Sequence, residues 1–123
     1  MEKEKISIIV PCYNEQEVLY ILFAELQKVT AQMSKYDFEL LFVNDGSKDK
    51  TLDILKELAQ KDDRVVYMSF SRNFGKEAAM YAGFTNATGD YVVVMDADMQ
   101  DPPSLLPEMI TYIESGEYDS VAT

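Results

Sequence analysis

The sequence contains no histidine and a single cysteine among its 123 residues. Catalysis by an imidazole and zinc sites with histidine ligands are therefore excluded. The lone Cys12 cannot form a disulfide within the chain, so a reducing compartment is the simpler expectation. Because no histidine or other obvious base accompanies Cys12, we interpret it as a small packed residue and not as a nucleophile.

Basic residues are scarce as well: 11 Lys and Arg stand against 22 Asp and Glu, a formal net charge of −11. Such a field repels phosphate backbones, so we expect no nucleic-acid surface, whereas divalent cations are favoured. The apolar run before Pro11 is too short for a signal peptide or a membrane span. With 47% apolar residues, the chain has the length and composition of one globular domain.

The five glycines form none of the common phosphate-binding loops. A dinucleotide-binding turn needs Gly-x-Gly-x-x-Gly, and no two glycines here are two residues apart. A P-loop needs Ser or Thr where Glu77 follows Gly75 and Lys76. A response-regulator receiver needs an aspartate at the end of the third strand, and an EF-hand needs glycine where Asp101 stands. A phosphate ligand would therefore be held without a glycine-rich cradle.

Short apolar runs alternate with amphipathic segments along the chain. The runs predict strands at residues 6–10, 38–43, 65–68 and 91–95, with a short fifth at 118–122. The intervening helices have inner faces formed by these residues: Val18, Leu22, Leu26, Val29 and Met33; Leu52, Leu55, Leu58 and Ala59; Ala78, Ala79, Ala82 and Gly83; Leu106, Met109, Ile110 and Ile113. This alternation predicts an α/β fold, a mostly parallel sheet with helices on both faces.

Two helix boundaries carry more specific predictions. Either Ser47 or Asp49 is expected to cap the second helix. Gly89 is expected to end the third helix in the left-handed conformation.

Polar segments follow the first four strands, at residues 11–15, 44–47, 71–75 and 96–101. Ligands of open α/β sheets bind at the carboxyl ends of the strands, so these segments should share one site. The last of them is acidic. Asp96 and Asp98 lie on the same side of an extended chain, where a divalent cation would offset their charge. With Gln100 they match the oxygen ligands that Mg²⁺ or Mn²⁺ prefers beside a phosphate.

The same segments resemble the serial motifs of the family 2 glycosyltransferases. They are Val10-Pro-Cys-Tyr-Asn-Glu15, Asn44-Asp-Gly-Ser47, Arg72-Asn-Phe-Gly-Lys76 and Met95-Asp-Ala-Asp-Met-Gln100. More narrowly they are similar to the polyprenyl-phosphate branch, the dolichol-phosphate mannose synthases and undecaprenyl-phosphate glycosyltransferases. The resemblance implies a Rossmann-like GT-A fold, of which residues 1–123 would be the nucleotide-sugar-binding half, with the later part of the fold beyond Thr123.

The resemblance also implies roles for single residues. Pro11, Tyr13 and Glu15 would line the nucleoside pocket. Asp45 would bind the base or the ribose, with Val43 beside it, while Asp96 and Ala97 would flank the ribose and the diphosphate. Asp98 and Gln100 would hold Mg²⁺ or Mn²⁺. Asn44 departs from the pattern, since many members carry an aspartate there.

The implied activity is metal-dependent, inverting transfer of a hexose from a UDP- or GDP-sugar to an acceptor, a polyprenyl phosphate in this branch. Such enzymes serve cell-envelope glycan synthesis at the cytoplasmic face of the membrane. Any membrane association would come from sequence beyond Thr123, and the 123 residues alone are expected to be inactive. No catalytic base can be assigned.

Other functions remain open from the residues alone. A sugar nucleotidyltransferase would need a basic glycine-rich loop after the first strand, and an aspartyl-phosphate phosphatase would need its Asp-x-Asp on that strand. A non-catalytic nucleotide-sugar-binding module is the further alternative. For Arg72, a functional role and an ion pair are equally supported, and for Asp101 a role in a turn is as well supported as a ligand contact. Lys76 is interpreted as a solvated lysine in a first helical turn, with phosphate contact as the alternative.

Overall fold

The computed structural model describes residues 3–97, 106–114 and 120–122. Strands and helices alternate along the chain, as the apolar runs predict. The strands are β1 (Glu4–Cys12), β2 (Tyr36–Asn44), β3 (Val65–Ser69), β4 (Tyr91–Val94) and β5 (Ser120–Ala122). The helices are α1 (Leu19–Ala31), α2 (Thr51–Lys61), α3 (Lys76–Asn86) and α4 (Leu106–Glu114). None of the helices in the described ranges has the length and hydropathy of a membrane-spanning segment.

The five strands form one sheet in the order β3-β2-β1-β4-β5, and every neighbouring pair is parallel. Ile8, in the central strand, is in register with Leu40 on one side and Val93 on the other. All three side chains are fully buried in the core on one face of the sheet, and Ile9, the next residue of β1, is fully buried in the core on the other face, so helices cover both faces. The predicted parallel sheet with helices on both faces is confirmed. The parallel order places the carboxyl ends of all strands at one edge.

The two faces of the sheet have cores of different size. Helices α1, α2 and α4 cover the larger core through Leu22, Leu55 and Leu106. Helix α3 covers the smaller core, and its two buried residues, Ala79 and Gly83, are both small. A Cβ added at Gly83 would lie 2.5 Å from Cγ2 of Ile9. The small residues of α3 therefore allow the close approach to the sheet that its composition suggests.

The prediction that Gly89 ends α3 in the left-handed conformation is wrong. The helix ends at Asn86, Ala87 follows in an extended conformation, and the described glycines with positive φ are Gly46 and Gly75. Gly89 is instead pressed against β1, where its N–H donates to Oγ of Ser7 at 2.8 Å. An added Cβ would lie 2.7 Å from the backbone nitrogen of Ser7. Close backbone approach, and not helix capping, requires glycine here.

The prediction that Ser47 or Asp49 caps α2 is wrong, because the N-cap is Lys50, which makes no side-chain capping bond, and Asp49 only adjoins it. The Oδ1 of Asp49 accepts a hydrogen bond from the backbone N–H of Thr51 at 2.9 Å. Burial raises the pKa of Asp49, but this and the other hydrogen bonds to its carboxylate outweigh burial, so the net shift lowers the pKa. Ser47 has another partner, because its Oγ accepts the N–H of Asn14 at 2.9 Å. The side chain of Ser47 therefore joins two loops instead of capping the helix.

A buried polar cluster closes the amino-terminal edge of the sheet. Glu39, which is 7% exposed, accepts hydrogen bonds from Oγ of Ser7 at 2.7 Å, and from the N–H and hydroxyl of Thr88 at 3.1 and 3.0 Å. Lys5 donates to the hydroxyl of Thr88 at 2.7 Å. Burial raises the pKa of Glu39, but these hydrogen bonds and the charge of Lys5 outweigh burial, and the net shift lowers it. We call Ser7, Glu39 and Thr88 the amino-edge cluster.

Candidate functional site

The carboxyl ends of the strands surround a cavity of about 510 Å³, which we call the carboxyl-edge cavity. Its walls come from the four polar segments that the sequence predicts to converge, so that prediction is confirmed. The described residues that line it are Pro11, Cys12, Tyr13, Glu15, Asp45, Asn73, Gly75, Lys76, Asp96 and Ala97.

The loops after β1 and β2 are joined by hydrogen bonds between their backbones and side chains. Asn14 adopts a left-handed conformation with φ of 53°, and its Oδ1 accepts the N–H of Lys48 at 2.8 Å. Next to it, the N–H of Glu15 donates to Oγ1 of Thr51 at 2.8 Å. Asparagine tolerates the left-handed region better than most residues. The two loops therefore form one wall of the cavity and hold each other in place.

Asp45 joins the loop after β2 to the loop after β3. Its carboxylate is buried and accepts the backbone N–H of Phe74 at 2.7 Å and of Gly75 at 2.9 Å, together with Nδ2 of Asn73 at 3.0 Å. A carboxylate has about four acceptor positions, so these three donors occupy most of them. Asp45 thus borders the cavity, while most of its hydrogen bonds hold the start of α3.

Gly46 and Gly75 permit this loop arrangement. Gly46 has φ of 68°, and a Cβ there would lie 2.1 Å from the backbone carbonyl carbon of Arg72. Gly75 has φ of 104° and directly precedes the first residue of α3. Both positions are strained for any residue with a side chain. The glycines of this site serve close packing and backbone geometry instead of a phosphate-binding loop.

Lys76 and Asp96 form an ion pair across the cavity wall. The Lys76 side chain is 55% exposed and that of Asp96 is 19% exposed. Lys76 does lie in the first turn of α3, as predicted, but its description as a solvated lysine omits this partner. Lys76 begins α3 and Asp96 lies in the loop after β4, 20 positions further along the chain, so no local pattern signals the contact.

Cys12 and Arg72 are both held by local contacts. The buried thiol of Cys12 donates to the carbonyl oxygen of Val10 at 3.4 Å, and burial, with the charge of Glu15, raises its pKa. The thiolate is therefore disfavoured, in agreement with a packed role. The guanidinium of Arg72 lies over the ring of Phe74, 4.8 Å from its centroid. This cation–π contact is a partner that the sequence interpretation of Arg72 did not consider.

The structure brings together six of the nine predicted site residues: Pro11, Tyr13, Glu15, Asp45, Asp96 and Ala97. Val43 is not among the lining residues, because its side chain is fully buried in the smaller core. Asp98 and Gln100, and also Asp101, lie outside the described residues. Asn73 lines the cavity without having been predicted as a ligand contact, and Lys76, for which phosphate contact was the alternative interpretation, lines it too.

The oxygen donors at the cavity suit a hard divalent cation. Glu15 and Asp96 offer carboxylates, which Mg²⁺ and Mn²⁺ prefer over the nitrogen and sulfur ligands of zinc. Within the part of the chain that the structure describes, no three carboxylate or cysteine side chains are grouped closely enough to hold an ion. The two predicted ligands belong to the segment outside that part.

Comparison with known proteins identifies the family. The model of Glycosyl transferase family 2 matches residues 7–123. The chain belongs to glycosyl transferase family 2. Among its relatives, the putative glycosyltransferase CsbB of Bacillus subtilis is 50% identical over 98% of this chain. The prophage bactoprenol glucosyl transferase homolog of Escherichia coli is 43% identical over 91%. This family 2 chain spans 36% of the length of each of these relatives.

Solved structures of glycosyltransferases share the fold. The mannosyltransferase PcManGT from Pyrobaculum calidifontis, in complex with GDP-Man and Mn²⁺, matches with a TM-score of 0.76 at 22% identity. The match covers 91% of this chain and 33% of that one. S. aureus TarS in complex with UDP-GlcNAc matches with a TM-score of 0.70 at 26% identity, covering 92% and 32%. The predicted GT-A fold is therefore confirmed.

Proposed function

We propose that these 123 residues form the nucleotide-sugar-binding half of a metal-dependent, inverting glycosyltransferase. The donor is a UDP- or GDP-linked hexose, and the acceptor is a polyprenyl phosphate. One observation carries the proposal: in a family 2 chain, four polar loops meet in a single cavity at the carboxyl edge of a parallel sheet. That edge is where open α/β sheets bind nucleotides.

The donor is supported by the residues that line the cavity and by the ligands of the structural neighbours. TarS was crystallised with UDP-GlcNAc, and PcManGT, whose likeness extends to the fold alone, with GDP-Man and Mn²⁺. In this chain, Pro11, Tyr13 and Glu15 contact the nucleoside, while Asp96 and Ala97 flank the ribose and the diphosphate. Tyr13, which is 42% exposed, offers a ring on which a base can stack.

Asp45 contributes mainly by holding the loop after β3, and its remaining acceptor position is available to the base or ribose. Val43 supports Asp45 from within the core. Asp98 and Gln100 would hold Mg²⁺ or Mn²⁺, and such a cation would supply stabilisation of the charge on the leaving diphosphate. These assignments extend those that the sequence motifs imply.

In the proposed reaction, a phosphate oxygen of the acceptor attacks the anomeric carbon of the sugar. The new C–O bond forms as the bond from that carbon to the diphosphate oxygen breaks, with inversion, and the bonding pair leaves with the nucleoside diphosphate. The acceptor phosphate is already ionised near neutral pH, so the reaction does not need a strong general base. This agrees with a chain that has no histidine and with a cavity whose Cys12 is buried, which raises the pKa of its thiol.

The acceptor class is supported by the names of relatives. Several are bactoprenol glucosyl transferases, 42–43% identical over 91% of this chain, and bactoprenol is a polyprenol. A lipid-linked acceptor also accords with a role in cell-envelope glycan synthesis, at the cytoplasmic face of the membrane, where nucleotide sugars are available.

Transfer by the protein at its natural full length tests this proposal. Wild type should transfer hexose from UDP- or GDP-hexose to polyprenyl phosphate in the presence of Mn²⁺. Asp98→Asn should lower the rate by about 100-fold or more, since it removes a ligand of the charge-stabilising cation. Asp37→Asn, an exposed acid at the opposite edge of the sheet, is the matched control and should retain the wild-type rate. Full activity of Asp98→Asn would contradict the proposed metal site.

A further inference from the structure

The carboxyl-edge cavity is acidic, although the proposed donor is an anion. Three carboxylates line it, from Glu15, Asp45 and Asp96, and Lys76 is the one basic residue among its described lining residues. A diphosphate at neutral pH carries at least two negative charges, which these carboxylates repel. A divalent cation offsets part of that repulsion, and a nearby protein cation would offset more.

Lys76 is placed and held for such a contact. It is the first residue of α3, and the hydrogen bonds from Phe74 and Gly75 to Asp45 fix the backbone immediately before it. Its ammonium has three N–H donors, and the ion pair with Asp96 needs one of them. The ammonium can therefore stay bound to Asp96 while it donates to a second anionic group in the cavity.

The other basic residue of this loop is used differently. The Arg72 guanidinium lies over the Phe74 ring, and Arg72 is not among the cavity-lining residues. A surface ion pair with a half-exposed lysine also adds little to stability by itself. The Lys76–Asp96 pair is thus better explained by the position it gives the ammonium than by its contribution to folding.

We propose that Lys76 binds a phosphoryl oxygen of the donor's diphosphate and that Asp96 is its positioning residue. This inference rests on the proposed function and assigns to Lys76 the recognition of the diphosphate, as distinct from the nucleoside. It also gives Asp96 a second task beside the ribose contact. No covalent step involves the lysine; it supplies a charge-assisted hydrogen bond.

The test compares the dissociation constants of UDP with uridine, and of GDP with guanosine, for the full-length protein in Mn²⁺. For the pair that wild type prefers, Lys76→Gln should weaken diphosphate binding by about 10- to 100-fold, the range for a hydrogen bond to a charged group. Binding of the matching nucleoside should change less than about threefold. Lys76→Arg, which keeps the charge, should restore part of the loss. Lys56→Gln, at an exposed position of α2, is the charge-matched control and should change neither constant.

A double-mutant cycle tests the role of Asp96. The measured quantity is the dissociation constant of the nucleoside divided by that of the nucleoside diphosphate. Because both ligands contain the ribose, any contact with the ribose cancels in this ratio. If Asp96 acts through Lys76, then Asp96→Asn should lower this ratio in wild type by more than in the Lys76→Gln background. Equal effects in the two backgrounds would contradict the positioning role.

The outcomes separate this inference from the proposed function. In one outcome, wild type binds a nucleoside diphosphate with Mn²⁺, but Lys76→Gln weakens the binding of diphosphate and nucleoside equally or weakens the binding of neither. Lys76 then does not recognise the diphosphate, and the proposed function stands. If wild type binds neither UDP nor GDP more tightly than the nucleosides, the proposed function fails and this inference fails with it.

Discussion

Two buried carboxylates have similar partners and different surroundings. Glu39 lies within β2, and Asp45 directly follows that strand. Both accept several hydrogen bonds from N–H or O–H groups, and the described residues place neither in a direct ion pair with a basic side chain. Glu39 ties Thr88, in the connection after α3, to Ser7 of β1. Asp45 ties the start of α3 to the end of β2. One carboxylate therefore secures each end of the same helix.

The difference between the two lies in what surrounds them. Glu39 borders a smaller cavity of about 360 Å³, where the basic residues Lys5 and Arg64 already have partners in Thr88 and Asp62. Asp45 borders the carboxyl-edge cavity, which four loops line, three of them with an acidic side chain, and where α3 begins. A buried, hydrogen-bonded carboxylate is therefore no sign of a ligand site by itself. Its position at the carboxyl edge, in a cavity lined by two further carboxylates, is what points to function.

The largest expected effects come from the glycine at each of these ends. Gly46→Ala places a Cβ within 2.1 Å of the Arg72 backbone at a positive φ, and should lower the free energy of unfolding by about 2–4 kcal/mol. Gly89→Ala crowds Ser7 and should cost about 1–3 kcal/mol. Urea unfolding measures both. In the folded protein, Gly46→Ala should also weaken nucleoside diphosphate binding, whereas Gly89→Ala should leave it unchanged.

Nucleoside diphosphate affinity is measured under conditions in which each variant is folded. A loss of stability is then not mistaken for a loss of affinity. Equal loss of affinity in the two variants would mean that the two edges of the sheet are not functionally distinct, contrary to the comparison above.

The carboxylates themselves give a matched pair with a smaller effect. Asp45→Asn and Glu39→Gln each replace a charged acceptor by an amide, and each should lower the free energy of unfolding by about 1–3 kcal/mol. In Asp45→Asn, the amide oxygen can accept from only one of the backbone N–H groups of Phe74 and Gly75, and the NH₂ group faces the other, so the loop before Lys76 should shift. Nucleoside diphosphate affinity should therefore fall in Asp45→Asn alone. Calorimetric titration at 25 °C measures the affinity of each variant for the nucleoside diphosphate. Unchanged affinity in Asp45→Asn would show that this loop does not control binding.

The smallest effect is a pH dependence at the amino-edge cluster. Because the pKa of Glu39 is lowered in the folded state, its contribution to stability is present above the unfolded pKa, about 4.3. That contribution is lost as the pH falls through the folded pKa. The difference in unfolding free energy between wild type and Glu39→Gln should thus be constant above about pH 5 and shrink below about pH 4. Urea unfolding from pH 7 to pH 3 measures this difference, and one that grows on acidification would contradict the lowered pKa.

Much of the fold could be predicted from the sequence, because its signals are local. Apolar runs mark the strands, helical periodicity marks the covering helices, and parallel connection then fixes one functional edge. The boundaries were less accurate: β2 begins at Tyr36, two residues before the predicted start, and β4 ends at Val94, one residue before the predicted end. Strand ends depend on pairing with neighbours, which the apolar runs do not encode.

The site could be predicted as a set of loops but not as a set of contacts. The partners of Asp45 are backbone N–H groups of Phe74 and Gly75, and backbone donors have no residue-type signature. Lys76 and Asp96 meet only because α3 crosses from one side of β1 to the other. Gly89 was misassigned because glycine at the end of a helix has two possible reasons, and only the approach of Ser7 distinguishes them.

Nucleotide binding at the carboxyl edge, through a divalent cation, is the central claim, and calorimetry on the full-length protein tests it most directly. UDP and GDP are titrated with Mn²⁺ and after its removal by a chelator, for wild type and Asp98→Asn. We predict that wild type binds one of the two nucleotides with Mn²⁺ and at least about 10-fold more weakly without it, and that Asp98→Asn loses this dependence. Affinity that does not change with Mn²⁺ in wild type, or no binding of either nucleotide, would contradict the claim.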